Sequence, residues 1–207
     1  MEFELAAATP AKDRRVRRSR AALIQAAIAL VTERGTAAIP ISDIAAAADV
    51  SRQLVYQHFG DRDALLLEAA LDLARTELLP RFADVASPEG RERALALTRH
   101  FAEHRVFYRA MLNSSSAYAL TKALSGLIIP VNRRAIDAQF AEEYDPQQLD
   151  DLAVFVTGGG ATVVNAWVTD ADDPLDPEDL ADRLIGLLGV ITGALRRTTA
   201  SEKETDR

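Results

Sequence analysis

Arg52, Gln53, Tyr56 and Gln57 are the residues whose types and spacing offer the clearest chemistry in this sequence. At i, i+1, i+4 and i+5 they share one face of a helix that Ser51 is suited to cap, while Val55 and Phe59 face the other way. Arginine pairs in two-pronged fashion with guanine and glutamine with adenine, so this face suits the base edges of a major groove. Upstream, Lys12 to Arg20 holds six basic residues against Asp13 alone, which places Arg14 and Arg17 where they could grip phosphates. A solvated charge run is the alternative for this segment, and a solvated helix position is the alternative for Arg52.

Other groupings offer less. His100 and His104 have the i, i+4 spacing that zinc can use, with Glu103 between them, but no third histidine stands near them in the sequence, and a metal site is not expected. Gly158-Gly159-Gly160 lies within an apolar helical run rather than between a strand and a helix, so it is no phosphate loop. Ser114, Ser115 and Ser116 lack the context of a nucleophile elbow and read as a loop or cap. The chain has no cysteine, which excludes disulfides, thiolate metal sites and cysteine nucleophiles. No metal, no cofactor and no enzymatic activity are expected.

The elements that must position the reading face are helices, since no segment alternates convincingly with period two. Ile24, Ala27, Ile28 and Val31 mark a first helix over about Arg17 to Arg34, ended by Gly35. Pro40 stands at the first position of a short helix that buries Ile41, Ile44, Ala45 and Ala48. Asp49 and Val50 turn the chain into the helix of Ser51 to Phe59; Gly60 breaks it, and Asp61 caps a long fourth helix to about Phe82. Five more follow: one after Ser87-Pro88, one over Val106 to Asn113, and one from Ala117 to about Glu143 bent at Pro130. Then come one from the capping box Asp145-Pro146-Gln147-Gln148 to Thr169, and one from Asp176 to about Arg197. The expected fold is all-α, with about nine helices, a flexible arm over 1–13 and a flexible tail over 198–207.

Composition agrees with a soluble globular chain, at 48% hydrophobic and 27% charged residues. The net charge of −7 is unevenly spread: residues 1–62 carry nine basic and seven acidic side chains, and residues 63–207 carry 15 and 24. Screening over about 8 Å at physiological salt lets a phosphate backbone sense the local basic cluster rather than the distant acidic body. The apolar run Leu152 to Val168 contains Thr157, Thr162, Asn165 and three glycines between flanking aspartates, so a buried helix is expected rather than a membrane span. Glu2 and Glu4 and the lack of an apolar N-terminal stretch argue against a secretory signal, leaving a cytoplasmic location as the default.

Asp43-Ile44-Ala45, Ala48-Asp49-Val50-Ser51, and Leu54-Val55-Tyr56-Gln57-His58-Phe59-Gly60-Asp61-Arg62 with Leu65 closely resemble the DNA-binding domain of TetR/AcrR-type transcriptional regulators. The resemblance covers about 60 residues; over the rest it is one of helix count and order. It implies a DNA-binding domain over 14–75, with its helix-turn-helix at about 40–59, and a ligand-binding and dimerisation domain over 76–197. By position, Ser51, Gln53, Tyr56 and His58 resemble DNA contacts, and Arg62 resembles a phosphate-gripping residue. His58 has the alternative of packing at the end of its helix. The chain departs from the pattern at Asp49, where glycine is usual, and at Leu54, where a small residue is common. It departs also at Pro40, where a threonine often caps the helix and touches phosphate, leaving Ser42 as the nearest hydroxyl.

A helix of this length reads only a few base pairs, so two copies on a palindromic double-stranded operator are expected. The last two helices suit a homodimer interface through Leu149, Leu152, Ala153, Val156, Val163, Val164 and Trp167, and through Leu180, Leu184, Leu187, Leu188, Ile191 and Leu195. Gly158 to Gly160, Gly186, Gly189 and Gly193 cost about 1 kcal/mol each in a helix, which close helix approach would offset, between subunits or within one. The resemblance further implies a small-molecule effector that moves the fourth helix and respaces the reading heads, with repression as the family habit. Phe101, His104, Tyr108, Met111, Phe140, Asn165 and Trp167 are the pocket candidates, with plain core as their alternative. A helical protein-binding adaptor and a small all-α enzyme are the competing classes. The adaptor would need neither the arginine arm nor the Tyr-Gln-His-Phe block, and the enzyme would need a nucleophile, metal or carboxylate dyad.

Overall fold

Local signals set most helix boundaries in the computed structural model, which describes residues 10–83 and 90–205, with side chains over 14–82 and 90–193. Among these residues there are nine helices and no strand. α1 spans Pro10–Arg34 and ends where Gly35 turns left-handed at φ 63°, its N–H donating to the Val31 carbonyl at 2.9 Å. α2 is Ile41–Ala47 and α3 is Arg52–Phe59. Between them Asp49 takes φ 52°, a left-handed position that a short polar side chain tolerates, so the turn survives without the usual glycine. Ser51 Oγ accepts from the Leu54 N–H at 3.3 Å and caps α3, and Gly60 closes it at φ 84°.

Asp61 accepts from the Ala64 N–H at 2.7 Å and opens α4, which runs over Arg62–Leu73, widens into a π-turn at Ala74–Leu78 and resumes over Leu79–Ala83. α5 is Gly90–Glu103, α6 Arg105–Leu112 and α7 Ala117–Phe140, with Pro130 inside it. α8, Pro146–Asp170, starts with the expected capping box: the Gln148 N–H donates to Asp145 Oδ1 and the Asp145 N–H to Gln148 Oε1, both at 3.0 Å. α9 is Pro177–Thr205.

Three expected boundaries are corrected. α1 begins at Pro10 rather than about Arg17, because Ala11 to Arg15 are good helix formers behind a proline that fits a first turn. Pro40 is the N-cap of α2, not its first residue; at ψ 139° it is extended, and its carbonyl accepts from Asp43 and Ile44. α9 continues past Arg197 to Thr205, since nothing in Thr198-Thr199-Ala200-Ser201-Glu202-Lys203-Glu204 is a glycine or proline able to stop it. The cap at Ser87-Pro88, the expected arm up to residue 9 and the side chains of Lys12, Asp13 and Leu195 lie outside what is described.

One apolar core joins the two ends of the molecule. Leu23, Ala27 and Val31 of α1 join Ile44 and Val55 of α2 and α3 in one cluster, all fully buried. The same core continues through Leu65, Leu66 and Ala69 of α4 into Phe107, Tyr108 and Met111 of α6 and on to Trp167 and Leu180. α8 packs along α7, and α9 packs on α5. α8 is long and apolar enough to cross a membrane by length and composition, and only 28% of its most apolar window is buried inside the chain. The expectation of a buried helix is therefore met on one face only.

Candidate nucleic-acid interface

The outward face of α3, the expected reading face, is set by the burial of Val55. With that side chain fully buried in the common core, helical geometry turns Arg52, Gln53, Tyr56 and Gln57 outward, and all four are exposed, Tyr56 to 54%. Ser51 at the N-terminus of α3 is exposed too, although its hydroxyl is committed to the cap. Arg14 and Arg17 lie exposed on the first half of α1. Ser42 is also exposed, and its hydroxyl donates to Asp43 Oδ1 at 3.1 Å. Arg62 is half-buried and bonds Asp63 through Nε at 3.0 Å, so a phosphate would have to share it with that carboxylate.

His58 is drawn away from this face. Its Nε2 lies 3.0 Å from Ser19 Oγ, and partial burial together with the Arg20 charge holds the imidazole below its usual range. The packing alternative describes its placement. Arg20, which in the sequence stands within the basic run, is the residue that makes this joint. Arg20 donates to the His58 carbonyl at 3.1 Å, stacks 4.4 Å over the Phe59 ring and pairs with Glu68 of α4 at 3.2 Å. The available signal was its position, one turn before Ile24 on the inward stripe of α1. Glu68 is shared with Arg75 in the π-turn at 3.2 Å, so a chain of charged contacts runs from that turn to the end of α3.

Of the seven pocket candidates, only Phe101 and Asn165 line the apolar cavity of about 320 Å³ enclosed by α5, α7, α8 and α9. Leu97, Leu124, Ile128 and Leu188 supply much of its wall. Two amides give it polar handles: Asn165 Nδ2 donates to Thr121 Oγ1 at 3.0 Å, and Asn132 Nδ2 donates to Thr157 Oγ1 at 2.9 Å. Tyr108, Met111 and Phe140 are packed in the core, at 1% exposure or less, and Trp167 also packs there. His104 faces Glu77 instead, at 2.7 Å. Residue type could not separate these cases, because aromatic rings that fill a core and rings that wall a cavity look the same in sequence.

Phe155 and Leu187, both more than half exposed, also line the cavity, so its mouth lies on the outer face of α8 and α9. Val154 and Val190 are exposed beside it. A Cβ added at Gly158, Gly159, Gly160, Gly186 or Gly189 would meet nothing within 4 Å. The close helix approach expected to explain these glycines is therefore not made within one chain.

Two stretches of the chain match known families separately. Residues 23–69 match the family described as bacterial regulatory proteins, tetR family, and residues 91–189 match a transcriptional regulator C-terminal region. The chain is 44% identical over 93 residues to the HTH-type transcriptional repressor Rv3405c of Mycobacterium tuberculosis, a match covering 45% of this chain and 46% of that protein. The chain thus spans about half the length of the curated relatives it matches. A tetR-family transcriptional regulator from Streptomyces coelicolor shares the fold with a TM-score of 0.57 at 24% identity, over 88% of this chain and 91% of that one. The TetR family repressor AlkX from Dietzia sp. does so with a TM-score of 0.53 at 24% identity, over 86% and 95%. With its helix-turn-helix and its helical C-terminal region both matched, this chain belongs to the TetR family of bacterial transcriptional regulators.

Proposed function

We propose that two copies of this chain pair through α8 and α9, read a palindromic operator with α3, repress transcription there, and release the DNA when a small molecule fills the α5–α9 cavity. The observation that carries the DNA reading is the face of Arg52, Gln53, Tyr56 and Gln57, exposed together on a helix anchored by fully buried Val55. Arg14 and Arg17, with Ser42 and Arg62 nearby, contribute backbone contacts that fix the register without reading sequence. The dimer is supported by the exposed apolar face of Val154, Phe155, Leu187 and Val190 and by the unfilled space over the glycines between them. Two-fold pairing on that face would also close the mouth of the cavity.

An effector of mostly apolar character with one or two polar groups fits a wall of leucine, isoleucine and phenylalanine side chains bearing two amide–hydroxyl pairs. The π-turn of α4, near the expected boundary at residue 75, is the element through which occupancy would reach the DNA end, by way of Arg75, Glu68 and Arg20. A coupling of about 1–3 kcal/mol would change operator affinity by roughly 5 to 150-fold. Binding a chromosome places the chain in the cytoplasm, and no enzymatic step is assigned to it.

A mobility-shift experiment on genomic duplex fragments, run across a salt series, tests the reading. Specific shifts that weaken steeply with salt are expected. A chain that shifts no duplex at low salt would be an adaptor rather than a DNA reader. Screening small molecules that bind the protein for operator release tests the switch, and failure of every such binder to release DNA would remove it.

A further inference from the structure

Glu103 lies between His100 and His104 in the sequence, but its carboxylate accepts from Arg81 at 3.1 Å and is not grouped with the two imidazoles, so the pair lacks a third donor from its own helix. The folded chain supplies one. Glu77, in the π-turn of α4, reaches across to α5, and one donor atom from each of Glu77, His100 and His104 lies within 4.8 Å of the others. π-turns recur where a helix must aim a functional side chain, and this one turns Glu77 toward the histidine pair.

We propose that Glu77, His100 and His104 form a binding site for a divalent first-row transition metal ion of the zinc class. Two imidazoles and a carboxylate are a donor set that zinc accepts, with the fourth tetrahedral position left to water or another ligand. His100 is fully buried: its Nε2 is 2.8 Å from the Tyr108 hydroxyl, and its Nδ1 has no hydrogen-bond partner among the described residues. If Nε2 carries the proton and donates it to Tyr108, Nδ1 is left as a lone-pair donor, which is the tautomer a metal requires and the kind of outer hydrogen bond that usually orients a ligating histidine. His104 and Glu77 are partly exposed, at 22% and 38% of their side chains, which gives an ion a path inward and room for water.

Donors held about 2.0–2.1 Å from a tetrahedral ion stand about 3.3 Å apart. The present 2.7 Å contact between His104 Nε2 and Glu77 Oε2 would open slightly on binding, and the wider spacings would close. Glu77, a long and partly exposed side chain, has the freedom to do this. Any proton shared between Glu77 and His104 passes to solvent as the metal takes its place. Arg81, whose charge also reaches His100, is paired with Glu103 at 3.1 Å. An occupied site would tie the π-turn of α4 to α5.

The test uses full-length protein stripped with EDTA and titrated with Zn2+ by calorimetry and with Co2+ by visible absorption. One ion per chain is expected, with a cobalt spectrum of low-coordinate intensity and a rise in Tm on adding Zn2+. Glu77→Gln keeps the size of a partly exposed side chain and should leave the metal-free Tm unchanged, while weakening Zn2+ about tenfold or more and abolishing the Tm rise. His104→Asn should do the same. Equal Zn2+ affinity in wild type and both variants would overturn the proposal, as would the lack of one-to-one binding in the wild type. No DNA enters this experiment, so its outcome is separate from that of the operator reading.

Discussion

Replacing Gln53 by alanine should weaken operator binding without weakening the fold. Gln53 is exposed on α3 and its side chain makes no hydrogen bond among the described residues, so its loss should change stability by no more than about 0.5 kcal/mol. A two-pronged contact to adenine contributes about 1–3 kcal/mol of discrimination. In a two-fold dimer the substitution occurs in both half-sites, so the loss doubles to about 2–6 kcal/mol, roughly 30-fold to more than 10^4-fold in affinity. The measurement is fluorescence anisotropy on a duplex that the wild-type protein selects from a random pool, repeated over a salt series. The slope of log affinity against log salt should not change, because a base contact releases no counterion. Arg17→Ala should act in the opposite manner, weakening all duplexes alike and reducing the slope by about 0.9 per subunit. Tyr56→Ala should follow Gln53→Ala in sign. Unchanged affinity in both Gln53→Ala and Tyr56→Ala, with Tm preserved, would refute the assignment of α3 as the reading helix.

Arg105 is buried, donates to the Val168 carbonyl at 3.1 Å and also holds the Ala171 carbonyl and the Asp173 carboxylate, so it ties α6 to the end of α8. Arg105→Met leaves the carbonyls without that donor and should lower unfolding free energy in urea by about 3 kcal/mol. Val190→Asp puts a charge on the exposed α9 face and should shift the monomer–dimer equilibrium at least tenfold toward monomer in sedimentation equilibrium; an unchanged dimer would move the interface elsewhere. Burial, with the charges of His104 and Arg81 adding to it and Glu77 opposing, lowers the His100 pKa from 6.5 to about 4. A histidine shifted down binds its proton more readily when unfolded, so its contribution is full above pH 6.5 and is lost as pH falls toward 4. In metal-free protein that loss amounts to about 3 kcal/mol, and His100→Gln should remove it from the urea-derived stability profile.

What could be read without the structure was local. Ser51 bonds three residues ahead, Asp61 three ahead, Gly60 and Gly35 close the preceding turn, and the Asp145–Gln148 box closes on itself. Such contacts depend on residue type and on a spacing of three or four, both present in the sequence. The reading face followed in the same way, since the inward pull of Val55 fixes where Arg52, Gln53, Tyr56 and Gln57 point. Local signals also failed where they were weak: the ends of α1 and α9 extend into polar segments that merely lack a stop.

Tertiary packing alone decided the rest. Arg20 meets His58 across 38 positions of chain, Glu77 meets His104 across 27, and Arg105 meets Val168 across 63. No periodicity in one segment records which residue of another will face it, so a basic run concealed a helix clamp and a histidine pair concealed its carboxylate. The pocket failed for the same reason, since Tyr108 and Met111 belong to the core while Leu97 and Ile128 wall the cavity. Hydrophobicity determines that such residues leave water; only the packed arrangement of α5 to α9 determines whether the space beside them is filled by protein or left open.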